Sequence, residues 1–251
     1  MAIKIALIYS GLPRRSISGW SKNLSFKRGV DSVDTFMHGW ANRKSRNFDS
    51  HQARRSSEKS HILQKQILQS LYSPRAICLE PSESYEFDTF DISKKAIDEF
   101  YFEISKEYPE GIEKWKKNLI SSNFSMWDSI HRSHQMFKNY CLRHDTNYDL
   151  VIRTRYDVLP TVNLAEIVSR HDLATISVPL NHMPDNMYCD WFAIGSPILM
   201  ESYFSLFNGL PDLMLKVDER YGGWCNEFGL YEHLNCQGIR VKEFEMGMKF
   251  H

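Results

Sequence analysis

The chain has 251 residues, of which 42% are hydrophobic, 25% charged and 13% aromatic. This excludes a disordered or fibrous chain and describes a soluble protein with a sizeable core, one large α/β domain or two small ones. Its formal net charge is zero, but residues 1–75 hold 14 Lys and Arg against 4 Asp and Glu, a net of +10, and the remainder carries −10. A basic third can face phosphates, an anionic membrane surface or nucleic acid, or pair with the acidic rest of the fold.

The apolar stretch within Met1–Tyr9 is too short for a signal peptide or a membrane span, and Ile3–Tyr9 reads as a first buried strand. It ends in Ser10-Gly11-Leu12-Pro13-Arg14-Arg15, where small residues let the backbone approach a ligand and arginines can grip its phosphates. A turn followed by a solvated basic loop is the plainer reading. Val33–Trp40 alternates as a second strand. The Arg-, Ser- and Asn-rich 41–60 has no apolar periodicity and reads as a long mobile loop. In His61–Leu71, Ile62, Leu63, Ile67, Leu68 and Leu71 recur at helical spacing behind Ser60 as a possible cap, and Ser73-Pro74 stops the helix before a strand at Ala76–Leu79. Ser93–Glu107, Ile112–Ile120 and Asn123–Cys141 read as three helices. The last carries Phe124, Trp127, Ile130, Met136, Phe137 and Tyr140 on one side, with His131 and His134 read as core or surface histidines because no third metal ligand lies nearby.

The central stretch is Tyr148–Pro160, YDLVIRTRYDVLP. Leu150, Val151 and Ile152 make a buried strand, after which Arg153, Arg155 and Asp157 fall two apart and share one face of an extended backbone. Two guanidinium groups and a carboxylate at the C-terminal end of a buried strand suit phosphate and a divalent cation, and strand C-termini are where open α/β sheets bind ligands. An Arg–Asp ion-pair ladder on a surface strand is the alternative. Further strands follow at Asp172–Pro179, Met187–Gly195 and Ile239–Phe244. A helix begins at Pro197 and runs to about Phe207, and another spans Asn226–Cys236 with Asn226 as N-cap. The five cysteines (Cys78, Cys141, Cys189, Cys225, Cys236) are odd in number, far apart and without C-x-x-C, so they indicate neither a zinc knuckle nor a disulfide framework and read as reduced thiols of a cytoplasmic protein. With no repeats or interdomain linker, alternating strands and helices predict one α/β domain over residues 1–251.

KIALIYSGLPR, VDTFMHGW, PRAICLEP, YDLVIRTRYD, DWFAIGSPILMESY and NEFGLYEHLNCQGIRV occur here in that order, and together they resemble bacterial and viral glycosyltransferases of the GT-A type, including the WavE-like lipopolysaccharide-synthesis proteins. The resemblance implies a mixed, mostly parallel sheet and transfer of a sugar from a nucleotide-sugar donor to a glycan or lipid-linked glycan acceptor. The donor would lie on Ser10, Gly11, Pro13, Arg14, Arg153, Arg155, Asp157 and Gly195. Arg153–Asp157 stands where such enzymes keep a D-x-D metal motif, but Arg155 takes the first acidic position. Asp157, with His251 at the C-terminus, would then hold Mn²⁺ or Mg²⁺, or the arginines would supply the positive charge. Asp190 would face the sugar or acceptor hydroxyls, and Glu227, with Glu232 in reserve, would act as the base of an inverting reaction. Glu227 reads equally as a helix N-terminal charge, Asp190 as a turn residue, and Glu232 as a solvent-facing mid-helix glutamate.

Two other readings stand beside transfer: a non-catalytic carbohydrate- or nucleotide-binding relative, and a nucleic-acid-binding protein using the basic 14–65 region. Phosphate-only binding would explain the charge but not arginines at the end of a buried strand, so nucleic acid is not the expected partner. Peripheral contact of the basic third with an anionic membrane is.

Overall fold

Lys4–Gly11 forms the first strand, β1, and its side chains alternate between two apolar layers: Ile5, Leu7 and Tyr9 face one core, Ala6 and Ile8 the other. A strand buried on both faces is the mark of a sheet covered by helices on each side. The computed structural model describes residues 3–13, 16, 20–40, 58–80, 112–180, 186–221, 225–246 and 248–250. In it β1 lies between β2 (Ser32–Trp40) and β4 (Leu150–Thr154), both parallel to it. β3 (Ala76–Glu80) continues the parallel set beyond β2.

On the other side of β4 the sheet order runs β7 (Phe192–Gly195), β6 (Ile176–Pro179), β8 (Val241–Phe244). β7 is antiparallel to both neighbours, while β6 and β8 pair in parallel. The seven-stranded sheet is therefore mixed and mostly parallel, as expected from the sequence. β5 (Val158–Pro160) and β9 (Met248–Phe250) form a separate antiparallel pair. Chain order runs outward from β1 to β3 on one side and resumes at β4 on the other, so the topological switch lies between β1 and β4. Open α/β sheets form their binding crevice at such a point, outside the strand C-termini.

One face of the sheet is covered by α3 (Ile112–His144), α5 (Pro197–Phe204), α6 (Leu210–Tyr221) and α7 (Asn226–Cys236), which pack Trp127, Ile130, Met200, Tyr203, Leu213 and Leu230 into one core. The other face carries α1 (Trp20–Phe26), α2 (Glu58–Tyr72) and α4 (Leu164–Arg170), with Phe26, Leu68 and Leu164 in the second core.

Several expectations change. The helices expected at Ile112–Ile120 and Asn123–Cys141 are one 33-residue helix, because no Gly or Pro interrupts residues 121–122. Ser60 lies inside α2 rather than capping it, and Ile62 and Leu63 are exposed. The strand expected from Leu150 on ends at Thr154, before Arg155 and Asp157, and Val158–Pro160 belongs to a separate strand. Met187–Asp190 precedes a four-residue β7, and the helix beginning at Pro197 ends at Phe204 in a 3₁₀ turn, Ser205–Gly209. Cys225, not Asn226, caps α7: its Sγ accepts the Phe228 N–H at 3.4 Å. The expected helix Ser93–Glu107, residues 41–57 of the expected loop, Arg14 and His251 lie outside the described residues. No described helix is long and apolar enough to cross a membrane.

Candidate active site

A cavity of about 300 Å³, the small end of the range for ligand pockets, opens at the C-terminal ends of β1 and β4. Ser10, Gly11 and Leu12 form its β1 wall, Trp40 ends β2 beside it, α3 contributes Asn123, Ser125 and Met126, and α7 contributes Asn226. Arg153, Arg155 and Asp157 line it as well. The strand stops at Thr154, yet the two-residue period persists: Tyr156 and Val158 remain buried in the second core while the three charged residues turn to the cavity. Tyr156 fixes this course by stacking on Tyr9, with 5.5 Å between ring centroids, and by donating its hydroxyl to the His38 carbonyl at 3.1 Å.

The arginines differ. Arg155 makes a bidentate pair with Asp157, Nε to Oδ1 at 2.9 Å and Nη2 to Oδ2 at 2.8 Å, so the ion-pair reading holds for these two. Arg153 is fully buried, and among the described residues its hydrogen bonds go to uncharged oxygens. Nε donates to Ser10 Oγ at 2.9 Å, and Nη1 to the Asp190 carbonyl and, at 3.5 Å, to the Tyr203 hydroxyl. Its Nη2 is buried and finds no partner among the described residues. An incompletely paired buried cation costs several kcal/mol, of the order of the desolvation penalty for an ion. An anion in the cavity would offset that cost.

β7 delivers Asp190 to the same end of the sheet because it runs antiparallel to β4: Phe192 pairs with Thr154, and the Trp191 carbonyl accepts the Arg155 N–H at 3.2 Å. The Asp190 side chain is buried and its Oδ1 has no partner among the described residues. Burial, reinforced by the Glu227 carboxylate and opposed by Arg153 and Arg155, pushes this carboxyl up to about 6. Carboxyls displaced in this way gather at functional sites. Glu227 stands in the first turn of α7, and its carbonyl accepts the Tyr188 N–H at 3.2 Å. Beside it, Asn226 accepts from Trp127 Nε1 at 3.0 Å and donates to Asn123 Oδ1 at 3.1 Å.

The other expected site residues lie elsewhere. Gly195 pairs with Val151, two residues back along β4 from Arg153, where a Cβ would meet Met200 Cγ at 3.2 Å; it is small so that α5 can pack. Glu232 is neither solvent-facing nor at the cavity. It is buried and paired with Arg220 at 2.6 Å and Lys216 at 3.6 Å, both on α6. Pro13 is buried behind Gly39, and its carbonyl accepts the Ser16 hydroxyl at 2.8 Å. As a seat for Mn²⁺ or Mg²⁺ the cavity fits poorly, because both Asp157 oxygens are taken by Arg155 and, among the described residues, Asp157 is the sole carboxylate in its lining. A different group, His38, Cys78 and Glu80, has ligand atoms within 4.8 Å of one another and could hold a metal ion.

Sequence reasoning did not single out Trp40, Asn123, Ser125 or Ser129. Ser129 Oγ accepts the Gly11 N–H at 2.8 Å and bonds His38 Nδ1 at 2.8 Å, tying the β1 wall to α3 and β2. Gly11 itself has φ +106°, a backbone conformation that favours glycine.

No protein-family model and no curated protein matches the sequence. Among solved structures, the chain is similar to mouse xyloside xylosyltransferase 1 in its apo form, at 10% identity and a TM-score of 0.45, over 97% of this chain and 85% of that one. It is similar to the apo form of the glycosyltransferase GlyE of Streptococcus pneumoniae TIGR4 at 10% identity and TM-score 0.40 (97% and 46%). A third similarity is to the bifunctional glycosyltransferase WbbM, at 9% identity and TM-score 0.39 (97% and 38%). The chain spans less than half the length of the GlyE and WbbM chains.

Proposed function

We propose that this chain is a GT-A type glycosyltransferase, a single domain that moves a sugar from a nucleotide-sugar donor to a glycan or lipid-linked glycan acceptor. The observation that carries this reading is Arg153: a fully buried guanidinium lining a cavity at the topological switch, with one nitrogen left without a partner among the described residues. The ordered motifs of the sequence, from KIALIYSGLPR to NEFGLYEHLNCQGIRV, support the same reading.

Displacing a nucleoside diphosphate from a sugar requires stabilising the charge that develops on the leaving diphosphate. Arg153 and Arg155 supply it, with Arg155 exchanging Asp157 for phosphate oxygens while Ser10 and Gly11 let the donor approach the strand ends. Asp157 is thereby freed, and Mn²⁺ or Mg²⁺ on that carboxylate is the variant of this reading that the D-x-D position suggests. Glu227 takes the proton of the acceptor hydroxyl, the arrangement an inverting transfer needs, and Asp190 holds a sugar or acceptor hydroxyl beside it. The basic residues of the first 75 would rest against the anionic membrane face where lipid-linked acceptors, such as those of lipopolysaccharide synthesis, are assembled.

The test is calorimetric binding of UDP, GDP and CMP, each with and without Mn²⁺, to the wild type, Arg155→Ala and Asp157→Ala. One nucleotide is expected to bind without metal and to lose about tenfold or more in Arg155→Ala, the value of a charge-assisted hydrogen-bond pair. Metal-enhanced binding lost in Asp157→Ala selects the metal variant. Nucleotide binding without transfer from any nucleotide sugar selects a non-catalytic relative. If no nucleotide binds, the proposal fails.

A further inference from the structure

We propose that His38, Cys78 and Glu80 form a cation site for a borderline-soft divalent ion of the zinc type, lying behind the Trp40 wall of the cavity. The inference does not rest on the transferase reading. Parallel pairing of β2 and β3 sets His38 directly beside Cys78, and Glu80 follows two residues on, on the same face of β3. Cys78 Sγ lies 3.2 Å from Glu80 Oε1, and His38 Nε2 lies 3.8 Å from Glu80 Oε2. Tetrahedral zinc with N, O and S ligands spaces its donor atoms about 3.3 to 3.6 Å apart, so small side-chain rotations close the set. His38 is 1% exposed, and its Nε2 has no hydrogen-bond partner among the described residues. A buried imidazole nitrogen that approaches a carboxylate only to 3.8 Å, beyond hydrogen-bond length, with a thiol in the same cluster, leaves room for an ion between them.

The surroundings match a metal site as well as the three donors do. A metal-binding histidine usually donates its other ring nitrogen to an oxygen that fixes its orientation. Here His38 Nδ1 is 2.8 Å from Ser129 Oγ, which lets Nδ1–H donate and leaves the Nε2 lone pair free. Ligating carboxylates are likewise held from outside. Arg132 Nη1 donates to Glu80 Oε2 at 2.7 Å and is itself balanced by Asp128, which accepts from Arg132 Nε at 2.9 and 3.0 Å. On coordination Cys78 exchanges the hydrogen bond it donates to Glu80 for a sulfur–metal bond, and the thiol proton leaves to the buffer. Thiolate and imidazole select zinc-type ions over Mg²⁺ or Mn²⁺. With three protein donors, a fourth position stays open.

Co²⁺ is the probe, added to the metal-free full chain carrying no histidine tag. One equivalent is expected to raise a thiolate-to-cobalt charge-transfer band in the near ultraviolet and to be displaced by Zn²⁺. Cys78→Ser should abolish the band, and His38→Gln should weaken binding about tenfold or more, the scale on which shell mutations act. Trp40 fluorescence offers an independent readout, since the His38 ring meets the Trp40 ring edge-on at 5.2 Å. The absence of a thiolate band, or a band unchanged in Cys78→Ser, which would place the cation on another cysteine, overturns the proposal. If His38→Gln does not fold, Glu80→Gln, at a partly exposed position, takes its place with the same expected loss.

Discussion

Replacing Asp190 by asparagine should make the protein more stable at neutral and alkaline pH relative to acid pH. The wild-type carboxyl, carried from 3.8 to about 6 by burial first and by Glu227 second, favours the folded state only while it is protonated. A raised folded-state pKa contributes stability that is complete below 3.8 and is lost as pH rises through about 6. Between pH 4 and pH 8 the loss is about 2 to 3 kcal/mol, at about 1.4 kcal/mol for each pH interval over which the folded form holds its proton and the unfolded form does not. The substituted amide does not titrate, so urea unfolding of both proteins across this range should show the difference in stability between variant and wild type growing by that amount toward pH 8. The absolute offset depends on whether the new amide finds partners around the present unbonded Oδ1, a matter of about 1 to 3 kcal/mol; the slope does not. Parallel pH curves for the two proteins would falsify the description of Asp190 as a carboxyl held in a desolvated place. A slope with the expected sign would mean that the fold retains this carboxylate at a cost, as functional groups are retained.

Glu232→Gln should reduce stability by about 1 kcal/mol, because the buried carboxylate loses its charge toward the half-exposed Arg220 and Lys216, and nucleotide affinity should not change; a large affinity loss would return Glu232 to the site. Gly39→Ala places a Cβ 2.8 Å from the Gly11 carbonyl oxygen and 3.2 Å from Pro13 Cδ. Thermal unfolding should register a cost of about 1 to 3 kcal/mol, with weaker nucleotide binding because Gly11 is pushed; an unchanged midpoint would contradict that packing. His134 stacks on Phe204 with ring centroids 4.4 Å apart, and burial lowers its pKa to about 4, with Lys138 next in effect. Its stabilising neutral form is fully present above 6.5 and lost as pH falls through about 4, so the wild type should lose about 3 kcal/mol over that window from this group. His134→Phe should show a correspondingly flatter acid limb in urea unfolding, and an unchanged limb would refute the assignment.

The central strands were legible because each is a short apolar run with a clear end. IALIY, LVIRT and FAIG cannot be placed on a surface, and the alternation of Arg153, Arg155 and Asp157 continues past the end of the strand. Direction was not legible. Nothing local to Phe192–Gly195 distinguishes antiparallel from parallel pairing, yet that direction brings Asp190 to the end of the sheet where the cavity opens. The short helices α1, α4 and α6 escaped notice because their apolar residues find partners only across the fold. The same holds for part of the cavity lining: Asn123 comes from α3 and Asn226 from α7, about a hundred residues apart in sequence, and the two join through a hydrogen bond that no spacing encodes. His38 and Cys78 become neighbours only through the register of two parallel strands. One signal could have found them: polar residues at the C-terminal ends of strands that the sequence already marks as buried.

The unpartnered polar atoms point the same way. Each orphaned buried donor or acceptor costs about 1 to 3 kcal/mol wherever it falls, so chance packing defects would show no preference for one place. Among the described residues His131 Nδ1, on α3, and His171 Nε2, in the lining of a second cavity, are such atoms elsewhere. Arg153 Nη2, Asp190 Oδ1 and His38 Nε2 instead gather at one end of the sheet, beside the switch between β1 and β4. Toward the opposite end Gly195 packs against Met200 and Ile176, and the second cavity opens there beside His171, Ser177 and Lys242. Of the three orphaned atoms beside the switch, two are donor and acceptor groups suited to an anion and to a proton or hydroxyl, and the third is an imidazole nitrogen 3.8 Å from the Glu80 carboxylate. Ser129 joins these parts, since one hydroxyl holds both the Gly11 backbone that walls the cavity and the imidazole of the proposed cation site. A change of occupancy at His38 therefore has a direct mechanical route to the cavity wall, two hydrogen bonds long.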